Sequence, residues 1–526
     1  MNKQLADSVF VNAKIFTLDS VMSVAEAFAV KDGKIMAVGD SKKILGKFDS
    51  KQIINLEGQF VYPGFNDAHA HFYGLGQTLQ TVDLVGAKSW NEVIERCKVF
   101  YQNYQGKYLL GRGWDQNNWA KKDFPVNDEL NKLFPNIPVL LKRVDGHAAI
   151  ANDYLLKLSS INFKNKIEGG EIIIQNSKPT GVLIDNAVDL VQEFLPKFST
   201  QEKIKSLLDA QKLCFENGLT SVCDAGLDKD IIDLIDSLQK VGLLKIRIYA
   251  MINATDNNLD FYLKQQPYKS GKLHVCSFKM YADGALGSRG ACLLQPYSDM
   301  ENHSGFLLTP KEKMEEYVSR ISKSKYQLCT HCIGDSANSM ILNLYAKYLE
   351  NGNDKRWRIE HAQVINQNDF NFYGTYHIIP SVQPTHATSD MIWAKDRLGN
   401  DRLKFAYAYK MLLKQNGWIP LGTDFPVESV NPFFTFYSAV ARKNTEGFPT
   451  EGFQMENALT REEALRGMTI WPAKAAFEET EKGSIEVGKF ADFIITDVDL
   501  LKDDLIKIRN AKVIDTYIGG RLTDTH

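Results

Sequence analysis

The sequence predicts an α/β chain organised around a parallel (β/α)8 barrel, with a β domain assembled from both termini and a subdomain inserted after the first barrel strand. Three observations predict it. Apolar strand-like runs alternate with amphipathic segments through the middle of the chain. The two ends share a different, β-rich texture broken by tight turns. Polar side chains recur where the apolar runs of the middle stop. Alternating strands and helices indicate parallel βαβ units, and eight of them indicate a closed barrel.

At the N-terminal end, residues 8–17 and 27–39 are rich in β-branched and aromatic residues, with a hairpin signal at Lys31-Asp-Gly-Lys34, and residues 52–55 continue the pattern. Residues 483–496 and 513–521 repeat it at the other end. Segments 1–60 and 483–526 are therefore expected to form one composite β domain, since chain ends commonly lie close together. The barrel is expected over 61–482, with strands at 61–71, 220–224, 245–251, 275–281, 327–331, 357–361, 378–383 and 419–424. Helices are expected at 201–217, 229–241, 310–323 and 336–350. Between the first two strands, about 75–198 carries its own strand patterns at 107–115 and 138–147 and a hairpin at 171–184. That is too much pattern for a loop, and it reads as an α+β insertion over the barrel mouth.

Composition narrows the class. The chain has 526 residues, 44% of them hydrophobic, and 62 basic against 64 acidic residues give a net charge of −2. This balance offers no electrostatic reason to expect a nucleic acid or a membrane surface as partner. No secretory signal and no membrane span are read, and seven scattered cysteines point to a reducing, cytoplasmic setting. A small-molecule substrate is expected, and a homodimer is left open.

The chemistry begins at His69 and His71, spaced i and i+2 so that both imidazoles project from one side of an extended segment. Alone, that spacing is weak. Lys279 in the fourth expected strand, His331 ending the fifth, His361 the sixth and Asp424 the eighth make it specific, because every strand of a parallel barrel opens on the same face. Nitrogen and oxygen donors of this kind suit zinc, iron or manganese. Asp424 is placed to take a proton from a water activated by such an ion. Lys279 cannot bind metal as an ammonium, so its other reading is a buried lysine paired with Asp283 or Asp424, in a site holding one ion.

The motifs PGFNDAHAH, FKMYADGALGSR, THCIGDSAN, RIEHAQ, SVQPTHATSD and LGTDFPVE, with the tail GSIEVGKFADFII, resemble the amidohydrolase superfamily, and within it the YtcJ-like (amidohydrolase-3) group, over essentially the whole chain. The resemblance implies a TIM-like barrel with a composite β-sandwich, and metal-dependent hydrolysis of non-peptide C–N bonds (amide, N-acyl or N-formyl). It implies that His69 and His71 hold a buried divalent metal, zinc by preference, and that His331 and His361 hold a second ion. It further implies that Lys279, once carboxylated, bridges the two ions, and that Asp424 binds metal and shuttles the proton. Cys332, Ser336 and Phe425 depart from the residues relatives often carry there, which bears on substrate preference.

Other residues carry two readings each. Asp67 either orients a ligand histidine or caps the turn after Gly64. His147, Gln383 and His386 are candidate substrate contacts, and His147 is equally a structural histidine. Arg289 is a candidate for a substrate carboxylate or carbonyl oxygen, or a solvated loop charge. Asp335 reads as a helix cap and Glu360 as a scaffold ion pair on the strand face opposite His361. Cys329 and Cys332 form a CxxC, but their odd spacing on a strand separates them. Competing functions are a deaminase or a lactone or ester hydrolase on the same residues, and a non-catalytic regulatory relative. The deaminase is disfavoured because no glutamate follows His331 at close range.

Overall fold

The computed structural model describes residues 3–161, 167–349 and 352–523. Met1, Asn2, the expected helix end at Glu350 and the last three residues of the C-terminal β segment lie outside them.

The central sheet runs β1 (Phe65–Ala70), β2 (Leu219–Leu227), β3 (Arg247–Asn253), β4 (Leu273–Tyr281), β5 (Gln327–Cys332), β6 (Arg358–His361) and β7 (Ile379–Ser381), each pairing with the next in parallel. Helices Thr200–Glu216, Lys229–Lys240, Lys311–Ser322 and Asp335–Tyr348 return the chain between successive strands. The first of these is stopped at its N-terminus by a reciprocal pair of hydrogen bonds between Ser199 and Glu202. Their apolar faces share one continuous core with the outer faces of the strands, including Ile232, Ile235, Val318, Ile341 and Leu342.

The eighth segment differs from expectation. Residues 419–424 form no ladder, only a parallel bridge between Leu421 and Val382. They still close the cylinder. Val382 N–H donates to the Pro420 carbonyl and Gly422 N–H to the Val382 carbonyl (3.2 and 3.0 Å), while Ala68 N–H donates to Leu421 and Asp424 N–H to His69 (3.1 and 2.8 Å). Pro420 has no N–H to contribute to a regular ladder. Gly422 lies so close to β1 that a Cβ there would stand 2.7 Å from the His69 nitrogen. Proline and the tight glycine contact explain why an apolar run reads as a strand yet makes only isolated bonds.

The expected first strand also divides. Phe60–Pro63 pairs with Phe493–Thr496 and Lys14–Phe16, whereas Phe65–Ala70 enters the barrel. The break falls at Gly64, where a Cβ would meet Thr220 at 2.3 Å. One run of sequence thus serves two sheets. The six-stranded sheet containing Phe60–Pro63 draws on both ends of the chain and packs on a four-stranded N-terminal sheet through Phe10, Phe28, Phe493 and Tyr517. Phe493 and Tyr517 stack at 4.5 Å, and Phe10 meets Phe493 edge-on at 4.9 Å. After β1, Val82–Asp83, Leu109–Trp114, Val139–Arg143, Ala148–Ala151, Gly170–Gln175 and Lys178–Asp185 build a separate six-stranded sheet with its own apolar core.

The barrel interior is partly polar at depth. Arg358 is fully buried among Cys329, Met251 and Tyr249, and its Nε donates to Cys329 Sγ at 3.2 Å. Cys332 packs on the outer side with the helices, so the two cysteines of the CxxC face apart, and all seven cysteines are free.

Arg247 at the start of β3 ties the barrel to the terminal sheets. It forms a two-pronged ion pair with Asp492 and lies over Phe490, 3.7 Å from the ring centre. Both partners are buried, so Asp492→Ala strands a guanidinium in an apolar seam. The expected loss is about 3–5 kcal/mol, read as a lowered urea midpoint; a loss under about 1 kcal/mol would place the pair with ordinary surface contacts.

Candidate metal centre

The expected donors meet at one end of the barrel, around Asp424. His69 is carried on β1 and His71 on the first residue beyond it, at the start of helix Phe72–Thr78. Asp424 Oδ1 lies 3.7 Å from His69 Nε2 and 3.3 Å from His71 Nε2. Its Oδ2 lies 4.0 Å from His361 Nδ1 and 3.4 Å from His386 Nε2. Two groups that could hold a metal ion therefore share this carboxylate: His69, His71 and Asp424, and His361, His386 and Asp424. His331 stands beside them with its ring centre 4.6 Å from that of His361. Lys279 Nζ is 3.1 Å from His69 Nε2.

Each of three histidines is oriented by a bond on Nδ1. His69 donates to Glu360 Oε2 at 2.6 Å, His71 to the Ala225 carbonyl at 3.1 Å, and His361 to Gln383 Oε1 at 2.7 Å. An imidazole that donates from Nδ1 keeps a lone pair on Nε2, the arrangement typical of metal-ligating histidines. Burial, reinforced by the Lys279 charge, lowers His69 to about 4, and burial with the neighbouring histidines holds His361 well below the usual range. Both rings are thus neutral, as a ligand must be. Burial alone would raise Asp424, but the close approach of His71, His69 and His361 outweighs it and holds the carboxyl well below the usual carboxylate range. Asp424 Oδ1, His331 Nε2 and His386 Nε2 are buried without a hydrogen-bond partner. Buried polar atoms left bare cost stability. Unpaired ring nitrogens beside a carboxylate oxygen fit a divalent cation.

Several expectations change. Glu360 does not stay on the far face as a scaffold ion pair alone: it lies 3.0 Å from Arg358 Nε and also holds His69. The reason is at the strand's end, where His361 and Ala362 adopt φ of 73° and 44°, so simple alternation stops after Glu360. Burial opposes ionisation of Glu360, yet Arg358 and His69 bring it down to about 2. Gln383 orients His361 instead of lining the cavity, while His386 lines it and joins the Asp424 group. Arg289 turns away to Asp299 at 2.9 Å. Asp335 does not cap its helix, which starts after Gly334; its Oδ1 accepts from Leu294 N–H at 2.9 Å. Asp67 accepts from the N–H groups of His69 and Thr423 and from the Thr423 hydroxyl, clamping β1 to the closing segment. Asp283 binds the N–H groups of Cys292, Ile333 and Gly334, and among the described residues Lys279 makes no ion pair with Asp283 or Asp424.

His71, His331, His361, His386 and Asp424 line a cavity of about 860 Å³ that residues of the inserted sheet also line. His147 lines it from that side, its Nδ1 2.5 Å from Asp185 Oδ1 and its ring 5.1 Å from His331. Arg112, Asp115, Arg143 and Asp145 also line it, and sequence reasoning singled out none of them.

The chain is similar to known proteins over nearly its whole length. Protein LONG AFTER FAR-RED 3 of Arabidopsis thaliana is 33% identical, over 98% of this chain and 91% of its own length. YtcJ of Bacillus subtilis, a candidate amidohydrolase by name, is 28% identical over 97% of each chain. An N-substituted formamide deformylase of Arthrobacter pascens is 25% identical over 99% of this chain and 98% of its own. A solved structure of an uncharacterised metal-dependent hydrolase from Pyrococcus horikoshii superposes with a TM-score of 0.77 at 26% identity, covering 95% of this chain and 99% of that one. The family model described as "Amidohydrolase family" matches residues 52–524, and the chain belongs to that family.

Proposed function

We propose that the protein is a metal-dependent hydrolase of a non-peptide C–N bond, acting on an amide of the N-acyl or N-formyl type. The observation that carries this reading is that His69 and His71, each anchored through Nδ1, turn their free Nε2 atoms to one oxygen of the ionised Asp424 carboxylate while His361 and His386 flank the other. The formamide deformylase among the relatives supports the class of bond.

His69, His71 and Asp424 would hold one ion, and His361, with His331 or His386, a second. When bound, a divalent ion such as zinc acidifies a water molecule and polarises a substrate carbonyl. The chain's own residues do the rest. Asp424, kept ionised among its histidine neighbours, accepts a proton at the carboxylate and returns it to the departing nitrogen. Glu360 and Gln383 fix ring orientation. Residues of the insertion, Arg112, Arg143 and His147 among them, line the same cavity and are available to hold the substrate over the donors.

Lys279 serves as a ligand in this reading only after carboxylation of its amine. Burial lowers its pKa, which favours the neutral amine that reaction with carbon dioxide requires. A deaminase would need an acid close after His331, and the next acid along the chain, Asp335, is committed to the Leu294 amide.

Two outcomes are expected. Metal-loaded protein hydrolyses N-formyl or N-acyl amides, and Asp424→Asn lowers kcat by about 10²–10⁴-fold. Turnover of lactones or cyclic amidines with no amide cleaved would overturn the assignment. Glu360→Gln keeps an acceptor for His69 but removes the charge, and metal affinity measured by chelator competition falls about 10–100-fold. Unchanged affinity would show that Glu360 serves only Arg358.

A further inference from the structure

Arginine cannot shed its charge to suit a dry environment, so a guanidinium held in a cavity without an acid is informative. Arg143 has its acids, Asp115 and Asp145, and Arg289 has Asp299. Arg112 has none. It stands on the inserted strand Leu109–Trp114 and lines the same cavity as the Asp424 cluster. Its Nη2 donates to the Val144 carbonyl at 3.1 Å, and its Nε is buried with no hydrogen-bond partner. Among the described residues no carboxylate lies within ion-pair distance of it.

The surroundings leave it so. Asp83, in register with Arg112 on the adjoining strand, accepts instead from Val85 N–H at 2.9 Å. Lys142, in register on the other side, is a second cation, and its Nζ donates to the neutral Gln192 amide at 2.6 Å. Burial lowers that ammonium to about 8, and the Arg112 charge adds to the shift. Gly146, at φ of 78°, gives the guanidinium its room: a Cβ there would come within 3.1 Å of Nη2.

We propose that Arg112 is the receptor for a carboxylate carried by the substrate, remote from the scissile bond, so that the preferred substrates are anionic N-acyl or N-formyl compounds. The inference rests on the hydrolase reading for its scissile bond, and on the unpaired guanidinium for its anion. A planar monoanion matches the donor fork of Arg112. Asp145 and Asp424 act on the Arg112 charge from beyond ion-pair distance, and with Asp115, Asp390 and Glu428 in the same cavity they disfavour a phosphate dianion.

The test separates the two readings. Binding of 3-phenylpropanoate and of 3-phenylpropanol, neither of which holds a scissile amide, is measured by calorimetry on the metal-loaded protein and on Arg112→Met. The carboxylate is expected to bind about 10–100-fold more tightly to the natural protein, and Arg112→Met should bring the ratio near one without lowering Tm. A preference that survives in Arg112→Met would put the anion on the metal and overturn the proposal, as would no preference in the natural protein. A lower Tm with the ratio unchanged would make Arg112 structural. In a parallel arm, N-formylphenylalanine and its carboxamide are assayed for turnover. If neither is cleaved while the carboxylate preference depends on Arg112, the hydrolase reading fails and the anion site stands.

Discussion

The site depends on closure of the barrel by a segment that scarcely forms a strand. Residues 420–424 are held between β7 and β1 by isolated backbone bonds, and Asp67 locks them through Thr423. Without that clamp Asp424 has no reason to face His69 and His71, which precede it by more than three hundred residues. Asp67 is itself fully buried, and burial brings its carboxyl up to about 7 despite the hydrogen bonds it accepts. An acid kept in so costly a place, making several bonds to the backbone of both partners, is a structural latch for the chemistry above it.

The closing segment also stores conformational tension where the ligands are. Asp424 sits at φ of 61° and His361 at 73°, both in the left-handed region that non-glycine residues seldom occupy. Each such residue costs on the order of 1 kcal/mol or more and persists only when its neighbours over-determine it. Here the neighbours are visible: the Asp424 N–H bond to the His69 carbonyl, and the Gln383 bond to the His361 ring. The twist turns both side chains off the regular pleat of the sheet and toward each other across the mouth. Regular strands alone would have sent them to alternating faces.

That departure explains what could be read from the chain and what could not. His69 and His71 were legible because i, i+2 spacing in an extended run places two rings on one side. Their convergence with His331, His361 and Asp424 was legible because parallel topology opens every strand on one face. Glu360 was misjudged by the same alternation rule, since the positive φ at His361 ends the pleat between them. Arg358 and Glu360 are themselves i, i+2 and both point inward, a signal that could have recovered the pair. The cut at Gly64 and the missing eighth ladder follow from a close contact with Thr220 and from Pro420, neither of which periodicity reports. Arg289 carried two readings, a substrate contact and a solvated loop charge, and Asp299, ten residues on, gave no sign in sequence of folding back to it.

The residues least legible in the sequence are those of the inserted sheet, and the physics of the fold accounts for it. The barrel rim supplies donors whose geometry is set by backbone closure, so changes there are felt at every ligand. The insertion has its own core, around Leu109, Trp114, Val139 and Leu141, and meets the cavity with side chains from its strands and turns. Its charges can be rearranged without moving a ligand histidine. Arg143 held between two aspartates contributes rigidity, whereas Arg112, one strand away and without an acid, contributes a demand for an anion. The same scaffold can therefore keep its hydrolytic centre while the insertion, through which guanidinium is paired and which is left bare, decides what that centre is given to cut.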